Sequence, residues 1–200
     1  MSDYIFLFDL DSTLTRCEIL PTVAAAIGRQ EEMQRMTEEA MRGDRPFRES
    51  FTERVGLLSS LPVEEVSEVV AHTPLNEEMA AFLRENPERC YVVTGNIDCW
   101  IEKLLHGLTP EGHLICSHAA VEDGHIRELV TIMDKAEAAA RFDGPLVVIG
   151  DGDNDVAMAE KAEIVVGYGG VREVAPALRR IADRCFTDET SCVAYLKTLL

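Results

Sequence analysis

The sequence of 200 residues lacks any apolar run long enough to cross a lipid bilayer. About 18 consecutive apolar residues would be needed, and the longest runs here have only the length of a buried strand. The N-terminus, MSDYIFLFDLD, also lacks the basic start and the cleavage site of a signal peptide. We therefore expect a protein that has no membrane among its partners.

Positive charge is in short supply. Lysine and arginine total 19 against 36 aspartates and glutamates, which gives a formal net charge of −17 at pH 7. Nucleic acids and anionic membranes bind through clustered lysine and arginine, so this surface is expected to repel both. A small anionic substrate is still compatible with the composition, provided that its site supplies local positive charge.

Cysteine pairs with metal-binding or redox spacing are missing, because none of the six cysteines forms a CxxC motif. A chain of this length can bury roughly 70% of the surface that its unfolded form exposes, so it needs no disulfide to fold. We expect reduced thiols that mostly pack in the core, and hence a cytoplasmic protein.

What the chain does have is a set of short, continuous apolar runs. Runs without alternation are typical of strands that are buried on both faces of a parallel sheet. Helical segments lie between the later runs, and this alternation indicates an α/β fold with a doubly wound, Rossmann-like parallel sheet. The predicted strands are Tyr4–Leu10, Cys90–Thr94, Leu146–Gly150, Ile164–Gly167 and, more weakly, Arg184–Thr187. The helices predicted among them are Asp98–His106, Lys135–Phe142, Asn154–Lys161 and Arg172–Ala182.

The stretch after the first predicted strand has a different pattern. It contains no strand signal and indicates helices only, so we expect a small helical cap of residues 16–76 inserted into an α/β core of residues 1–15 and 77–200. Further on, an Asp-Gly pair favours a tight hairpin turn within Ala119–Ile126. The predicted cap helices are Ile19–Ile27, Gln30–Met41, Pro46–Leu58 and Val63–His72.

Polar side chains follow three of the predicted strands. Each one alone is most simply a turn residue or a helix cap. Ligands of open parallel sheets, however, bind outside the carboxyl ends of the strands, so matched polar groups at three strand ends favour a site. Asp9 and Asp11 lie at the C-terminal end of the first strand, Thr94, Gly95 and Asn96 come at the end of the second, and Asp151, Asn154 and Asp155 follow the third.

Carboxylates that converge at one sheet edge repel each other. Two unit charges roughly 4 Å apart repel by about 4 kcal/mol at an effective dielectric constant near 20. A cation would relieve this repulsion, and oxygen ligands with open positions for water and phosphate favour Mg²⁺. We therefore predict a Mg²⁺ site formed by Asp9, a backbone carbonyl near Asp11, and Asp151.

Two further features suit a phosphate group. Thr94 and Gly95 are predicted to lie where a strand turns into a helix, and a hydroxyl with free backbone N–H groups at a helix N-terminus binds phosphate well. Lys135 is predicted at the start of a helix, where its charge opposes the helix dipole. A structural role and a phosphate-binding role are equally compatible with that position.

Four motifs occur in a fixed order: DLDST at 9–13, Thr-Gly at 94–95, Lys135, and GDGDND at 150–155. Together they resemble the motifs of the haloacid dehalogenase superfamily of phosphatases, most closely its phosphoserine phosphatases. The resemblance implies that Asp9 attacks phosphorus to form an aspartyl-phosphate. It also implies that Asp11 protonates the leaving alkoxide and then activates water.

The same resemblance implies roles for the remaining core residues. Mg²⁺ would be held by Asp9, the Asp11 carbonyl and Asp151, and Asp155 would orient a metal-bound water. The phosphate oxygens would be contacted by Thr94, Gly95, Lys135 and Asn154.

Within the predicted cap, the resemblance implies substrate-binding residues. Glu18 would hold the amino group of the substrate, and Arg54 would hold its carboxylate. Met41 and Phe47 would line the pocket between them. Arg54 also stands out by itself, because it shares one helix face with Phe47 and Phe51, and a guanidinium on an apolar stripe favours a carboxylate partner. The alternative for Arg54 is a side chain that extends to water or forms a structural salt bridge.

Three functions stay open at this point. The first is a phosphomonoester hydrolase that acts on L-phosphoserine. The second applies the same chemistry to phosphohomoserine, phosphothreonine or another small phosphate, or transfers the phosphoryl group to a second alcohol. The third is a Mg²⁺-binding regulatory module without turnover, against which the intact Asp9/Asp11 pair argues.

Asn96 is a departure from the family. The family commonly has Ser-Gly-Gly at the motif that begins with Thr94 here, and Asn96 adds bulk near the expected substrate carboxylate. The sequence leaves the oligomeric state open.

Overall fold

The computed structural model describes residues 3–200, which contain one seven-stranded sheet. Its strands are β1 (Ile5–Phe8), β2 (Cys90–Ile97), β3 (Leu114–Glu122), β4 (His125–Thr131), β5 (Leu146–Gly150), β6 (Ile164–Tyr168) and β7 (Arg184–Phe186). They lie in the order β4-β3-β2-β1-β5-β6-β7. Every neighbouring pair is parallel except β3 with β4. The predicted α/β class with a parallel sheet is confirmed.

The helices of residues 3–200 cover both faces of this sheet. They are α1 (Ile19–Ala24), α2 (Gln30–Met41), α3 (Phe47–Leu58), α4 (Val63–Ala71), α5 (Glu77–Glu85), α6 (Asp98–Leu105), α7 (Lys135–Ala139), α8 (Val156–Ala159), α9 (Pro176–Ile181) and α10 (Glu189–Lys197). Helices α1 to α4 lie where cap helices were predicted, whereas α5 and α10 were not predicted. None of the described helices is long and apolar enough to span a membrane.

The central strand β1 aligns the two strands beside it. Phe8, its last residue, pairs with Val92 of β2 and with Ile149 of β5. The next residue, Asp9, donates its backbone N–H to the Ile149 carbonyl at 2.9 Å. The segments that follow β1 and β5 are therefore held at one edge of the sheet, as expected for a ligand site in this architecture.

Strand β2 extends beyond its predicted end at Thr94. Between Val93 and Ile97 its pairing with β3 becomes irregular, because it advances by four residues while β3 advances by only two, from Ile115 to Ser117. The residues between form a bulge, a feature that is common beside active sites because it redirects side chains. The Ser117 hydroxyl donates to the Gly95 carbonyl at 2.6 Å, which gives this carbonyl a hydrogen bond within the irregular part of the β2–β3 pairing.

The predicted hairpin within Ala119–Ile126 is the tip of a longer β3–β4 hairpin. Asp123 and Gly124 form its turn with φ angles of 50° and 77°. Positive φ at both turn positions matches the right-handed twist of the strands and explains the Asp-Gly pair. The first part of β3, residues 114–118, was missed although Ile115, Cys116 and Ser117 are buried, because its apolar run is only three residues long.

Two helices after β5 begin later than predicted. A short 3₁₀ turn, Asp153–Asp155, precedes α8, so the acids of the GDGDND motif lie in a turn. Helix α9 begins at Pro176 instead of Arg172, because proline is favoured in the first turn of a helix, where its missing N–H costs nothing. The consequence is a loop that contains Arg172.

The segment with helices α1 to α4 joins the rest of the chain through a narrow neck. Thr15 and Leu75 form an isolated antiparallel bridge. Beside it, the Arg16 N–H donates to the Pro74 carbonyl and the Asn76 N–H donates to the Leu14 carbonyl, both at 2.8 Å. Entry and exit of the segment are thus adjacent, which supports our proposal that residues 16–76 are a cap on a core of residues 1–15 and 77–200.

Alternate residues of β1 face the two apolar layers of the core. Phe6 and Phe8 face the side that carries α5 and the proposed cap, where Phe6 meets Phe82 edge-on with ring centroids 5.2 Å apart. Leu7 faces the other side together with Val148 and Leu178. The strand is therefore buried on both faces, as its continuous apolar run indicated.

Replacing Phe82 by alanine should lower the free energy of unfolding by about 3–5 kcal/mol, because the ring is fully buried against Phe6 and Phe8 and the loss leaves a cavity. Urea unfolding followed by circular dichroism measures this change. The control is Val130→Ala at an exposed strand position, where we expect less than about 0.5 kcal/mol. Equal losses in the two variants would contradict this description of the core.

Candidate active site

The chain reverses direction immediately after β1. Ser12 adopts a left-handed conformation with φ 57°, and the Thr15 N–H returns to the Leu10 carbonyl at 2.9 Å. This tight turn leaves the Asp9 carboxylate at the sheet edge, with the residue only 3% exposed. The Asp11 carboxylate is turned toward the proposed cap, where its Oδ1 accepts the Ile19 N–H at 2.8 Å.

Three buried carboxylates meet below this turn. Oxygen atoms of Asp9, Asp151 and Asp155 lie within 4.8 Å of one another. Asp155 is fixed by the loop after β5, because its Oδ2 accepts the N–H groups of Asp151 at 3.0 Å and Gly152 at 2.9 Å. Oδ1 of Asp151 is buried and has no hydrogen-bond partner within the described chain. A clustered set of oxygen ligands with one atom unsatisfied fits a divalent metal ion.

Lys135 neutralises part of this cluster. It is 6% exposed, and its Nζ donates to both Asp9 and Asp155. Burial alone would disfavour its charge, but the carboxylates of Asp155 and Asp9 outweigh that effect and raise the pKa of Lys135 above its ordinary value. Lys135 is therefore a fixed positive charge beside the Asp9 carboxylate.

Burial raises the pKa values of the acids in this site, whereas a cationic partner in an ordinary ion pair would lower them. Removal from water raises the pKa of Asp11 and of Asp151 to about 7, and the Glu18 carboxylate adds to both shifts. Burial also raises the pKa of Asp9 well above its usual range, and the Asp155 carboxylate adds to it against the opposing charge of Lys135. The site thus holds more carboxylates than its own cations stabilise.

Arg172 is a site residue that sequence reasoning missed. Its Nε donates to Asp151, and its Nη1 lies 3.7 Å from Oε1 of Glu18. Its loop is held in place because the Ala175 N–H donates to the Asp151 carbonyl at 2.8 Å. The prediction placed Arg172 in a helix, where it would not have been considered; the proline at 176 was the signal that its segment is a loop.

The bulge of β2 presents Thr94 to the same edge. Its side chain is fully buried, and its Oγ1 accepts the Asn96 N–H at 3.1 Å, so the hydroxyl proton is free for another acceptor. The prediction that Thr94 and Gly95 lie at a helix N-terminus is wrong, because the strand continues to Ile97 and α6 begins only at Asp98. A phosphate here would meet a strand bulge.

Arg54 reaches this site from the middle of α3. The residue is 3% exposed; its Nη1 donates to the Thr37 hydroxyl at 3.1 Å and its Nε contacts the Ser50 carbonyl at 3.3 Å. Its Nη2 is buried and makes no hydrogen bond to residues 3–200. Burial lowers the pKa of this guanidinium, although Glu18 and Asp11 partly offset the effect. An unpaired, buried donor of this kind suits an anionic ligand.

Glycines let the proposed cap approach the sheet edge closely. A Cβ atom at Gly95 would lie 2.3 Å from Cζ of Phe47, and one at Gly152 would lie 2.9 Å from Sδ of Met41. Side chains at these two positions would therefore push Phe47 and Met41 away. The cleft between cap and core depends on both glycines.

The structure brings all the predicted site residues together. The cleft encloses about 350 Å³, solvent at its mouth included. Lys135, Asp151 and Asp155 contact its floor through the carboxylate cluster. The predicted residues that line it are Asp9, Asp11, Glu18, Met41, Phe47, Arg54, Thr94, Gly95 and Asn154, joined by Leu20, Phe51 and Asn96.

Comparison with known proteins agrees with this architecture. Residues 6–160 match the family model of the haloacid dehalogenase-like hydrolases. The chain is 30% identical to the phosphoserine phosphatase of Methanocaldococcus jannaschii, over 96% of this chain and 97% of that protein. It is 31% identical to the phosphoserine phosphatase of Archaeoglobus fulgidus over 92% of this chain, but spans only 57% of that relative's length.

A solved structure, a phospho-aspartyl intermediate analogue of phosphoserine phosphatase, superimposes with a TM-score of 0.81. The sequence identity is 26%, and the alignment covers 98% of this chain and 99% of the other. The chain therefore belongs to the haloacid dehalogenase-like hydrolase family. Within that family it is similar to phosphoserine phosphatases over nearly its whole length.

Without a divalent cation, the protein should lose stability as the pH rises from about 4 to about 7. The ordinary aspartate pKa of 3.8 applies to the unfolded chain, whereas burial raises the pKa of Asp11 and Asp151 in the folded state to about 7. The folded state thus holds more protons across this window, and its free energy of unfolding falls with rising pH. Melting temperatures in EDTA and in Mg²⁺, at about pH 5 and about pH 7.5, measure the effect.

Mg²⁺ should raise the melting temperature at the higher pH by at least about 2–4 °C, which corresponds to about 1 kcal/mol. The effect should be smaller at the lower pH, where protons compete with the ion. Asp151→Asn should lose most of the response. A melting temperature that ignores Mg²⁺ at both pH values would contradict the metal site.

Proposed function

We propose that this protein is a Mg²⁺-dependent phosphomonoester hydrolase that acts on L-phosphoserine through an aspartyl-phosphate. The observation that carries the proposal is the pairing, in one cleft, of a buried carboxylate with the unsatisfied Nη2 of Arg54. Asp9 would meet the phosphate, while Arg54 would meet a carboxylate at the other end of the same small molecule. The M. jannaschii relative, which this chain matches end to end, carries the name of that activity.

The first half of the reaction transfers the phosphoryl group to Asp9. Its carboxylate attacks phosphorus while the bond from phosphorus to the serine oxygen breaks. The carboxyl proton of Asp11 passes to that oxygen, and serine leaves. Lys135 and the Thr94 hydroxyl would hold phosphate oxygens throughout, with Asn154 at the rim of the cleft.

The second half returns the enzyme to its starting state. Asp11, now ionised, takes a proton from a water molecule whose oxygen attacks the phosphorus of the aspartyl-phosphate. Phosphate leaves, Asp9 is free again, and Asp11 carries its proton. Mg²⁺ held by Asp9, the Asp11 carbonyl and Asp151, with Asp155 beside it, would neutralise the carboxylates and the phosphate.

The proposed cap would recognise the amino acid part of the substrate. Glu18 would receive the ammonium group; its Oε1 already accepts the Ser12 hydroxyl at 2.8 Å, which fixes its direction. Met41 and Phe47 would close over the short carbon chain. A closed cap also excludes water while the phosphoryl group is transferred.

The free thiols of all six cysteines support a cytoplasmic location.

Asp9→Asn should reduce phosphoserine hydrolysis by at least about a thousandfold, because the amide is a poor nucleophile and the covalent step is lost. Released phosphate measures turnover, and rapid quenching with labelled substrate detects the phosphoenzyme, which the variant should not form. Asp143→Asn, at an exposed position outside the cleft, is the matched control. Near-normal hydrolysis by Asp9→Asn would exclude the covalent route, and background turnover by the wild type would favour a regulatory module.

Arg54→Met should raise the KM for phosphoserine by about 10- to 100-fold, because a hydrogen bond to a charged group contributes about 1.5–3 kcal/mol. The KM for p-nitrophenyl phosphate, which has no carboxylate, should barely change. Arg48→Met is the control on the same helix, since Arg48 is exposed outside the cleft. Equal effects on both substrates would contradict carboxylate recognition by Arg54.

The same assay separates the alternative substrates. Phosphoserine should be hydrolysed with a higher kcat/KM than phosphothreonine or phosphohomoserine, because the extra methyl or methylene group must fit between Met41 and Phe47. An added alcohol that captures the phosphoryl group would show phosphotransfer instead of hydrolysis. Activity in EDTA should fall to background.

A further inference from the structure

Asn96 occupies the last position of the β2 bulge and is buried in the wall of the cleft. It is 3% exposed and lines the cleft beside Asp11. The proposed function assigns it no role, and the family motif has glycine here. A polar side chain that a strand bulge directs into a catalytic cleft calls for an explanation.

The side-chain amide of Asn96 is bonded to the proposed proton donor. Its Nδ2 donates to Oδ2 of Asp11, and the Ile19 N–H donates to Oδ1 of the same carboxyl group at 2.8 Å. Asp11 is therefore held from both oxygens, once by the start of α1 and once by β2. These two contacts fix the plane of the carboxyl group and the direction in which it can deliver a proton.

The other end of the amide is free. Oδ1 of Asn96 is buried and accepts no hydrogen bond from any described residue. Buried carbonyl oxygens are normally satisfied, and an unmet one destabilises the structure that contains it. Nδ2 of the same amide donates to Asp11, so this acceptor belongs to a side chain that lies directly beside the proposed proton donor.

We propose that Asn96 is a positioning residue, which holds Asp11 in line with the leaving oxygen and accepts, at Oδ1, a hydrogen bond from an N–H or O–H donor of the leaving group. This inference rests on the proposed function and deepens it. The leaving group must then be a polar alkyl alcohol such as an amino alcohol. An apolar group would leave Oδ1 unsatisfied.

Two substrates separate positioning from general damage. Phosphoserine releases an alkoxide that needs the proton of Asp11, whereas p-nitrophenyl phosphate releases a stable phenolate that needs none. Asn96→Ala should lower the single-turnover rate of serine release from phosphoserine on the order of 10- to 100-fold and that of p-nitrophenolate release by less than about threefold. These release rates precede the water step, in which Asp11 serves both substrates. It should also raise the KM for phosphoserine, because the acceptor at Oδ1 is lost.

Asn76→Ala is the matched control. Asn76 is another buried asparagine near the same turn; its Nδ2 donates to the Thr13 carbonyl at 2.8 Å, and no bond joins its side chain to Asp11. Any activity that this variant loses through lower stability should be lost to the same extent with both substrates. If Asn96→Ala does not fold, Asn96→Ser leaves a smaller void and is judged by the same ratio of single-turnover release rates.

Equal losses of the single-turnover release rate on the two substrates in a folded Asn96 variant would overturn the positioning role. An unchanged KM for phosphoserine would overturn the hydrogen bond to Oδ1. A wild-type protein inactive on both phosphate esters would overturn the proposed function and this inference with it. The wild-type measurement therefore distinguishes a failure of the function from a failure of the inference alone.

Discussion

The structure depends on how buried carboxylates are tolerated at one edge of a sheet. Asp9, Asp151 and Asp155 share a space only a few ångströms wide, where water cannot screen them. Lys135 and Arg172 bring two positive charges to this cluster, and Arg172 also lies near Glu18. Burial raises the pKa of Asp9 and of Asp151, and the negative charge of the neighbouring carboxylates adds to both shifts. A divalent ion bound here would neutralise part of this negative charge, so metal binding would also stabilise the folded protein.

The proposed cap addresses a second problem, which is selectivity. By the proposed function, the core alone would offer a nucleophile and a phosphate site, and these would accept many phosphate esters. Arg54 and Glu18 come from the helical segment, with one unsatisfied donor and one oriented carboxylate. Phe47 and Met41 of the same segment approach the core closely, because Gly95 and Gly152 leave room for them. The residues proposed for recognition are thus distant in sequence from those proposed for the chemistry, but they lie in the same cleft.

The sequence predicts most of this arrangement because the decisive signals are local. Strand β1 ends where its apolar run ends, so Asp9 could be placed at the sheet edge without any tertiary information. The position of Arg172 could not be predicted in this way, since it depends on a loop packed against Asp151. The bulge in β2 also escaped prediction, because glycine and asparagine are poor strand formers and the pairing with β3 that holds them is distant in sequence.

The bulge in β2 lies where the fold prediction was wrong, and it also positions side chains of the site. If β2 ended at Thr94, as predicted, the bulge that presents Asn96 to the Asp11 carboxyl group would not form. The continuation of β2 to Ile97 instead places Thr94 and Asn96 side by side, joined by the bond from the Asn96 N–H to Oγ1 of Thr94. One irregular stretch of the backbone thus places the Thr94 hydroxyl at the sheet edge and directs the Asn96 amide to Asp11. By the inference above, a departure from the family motif at this position would change the part of the cleft that meets the leaving group.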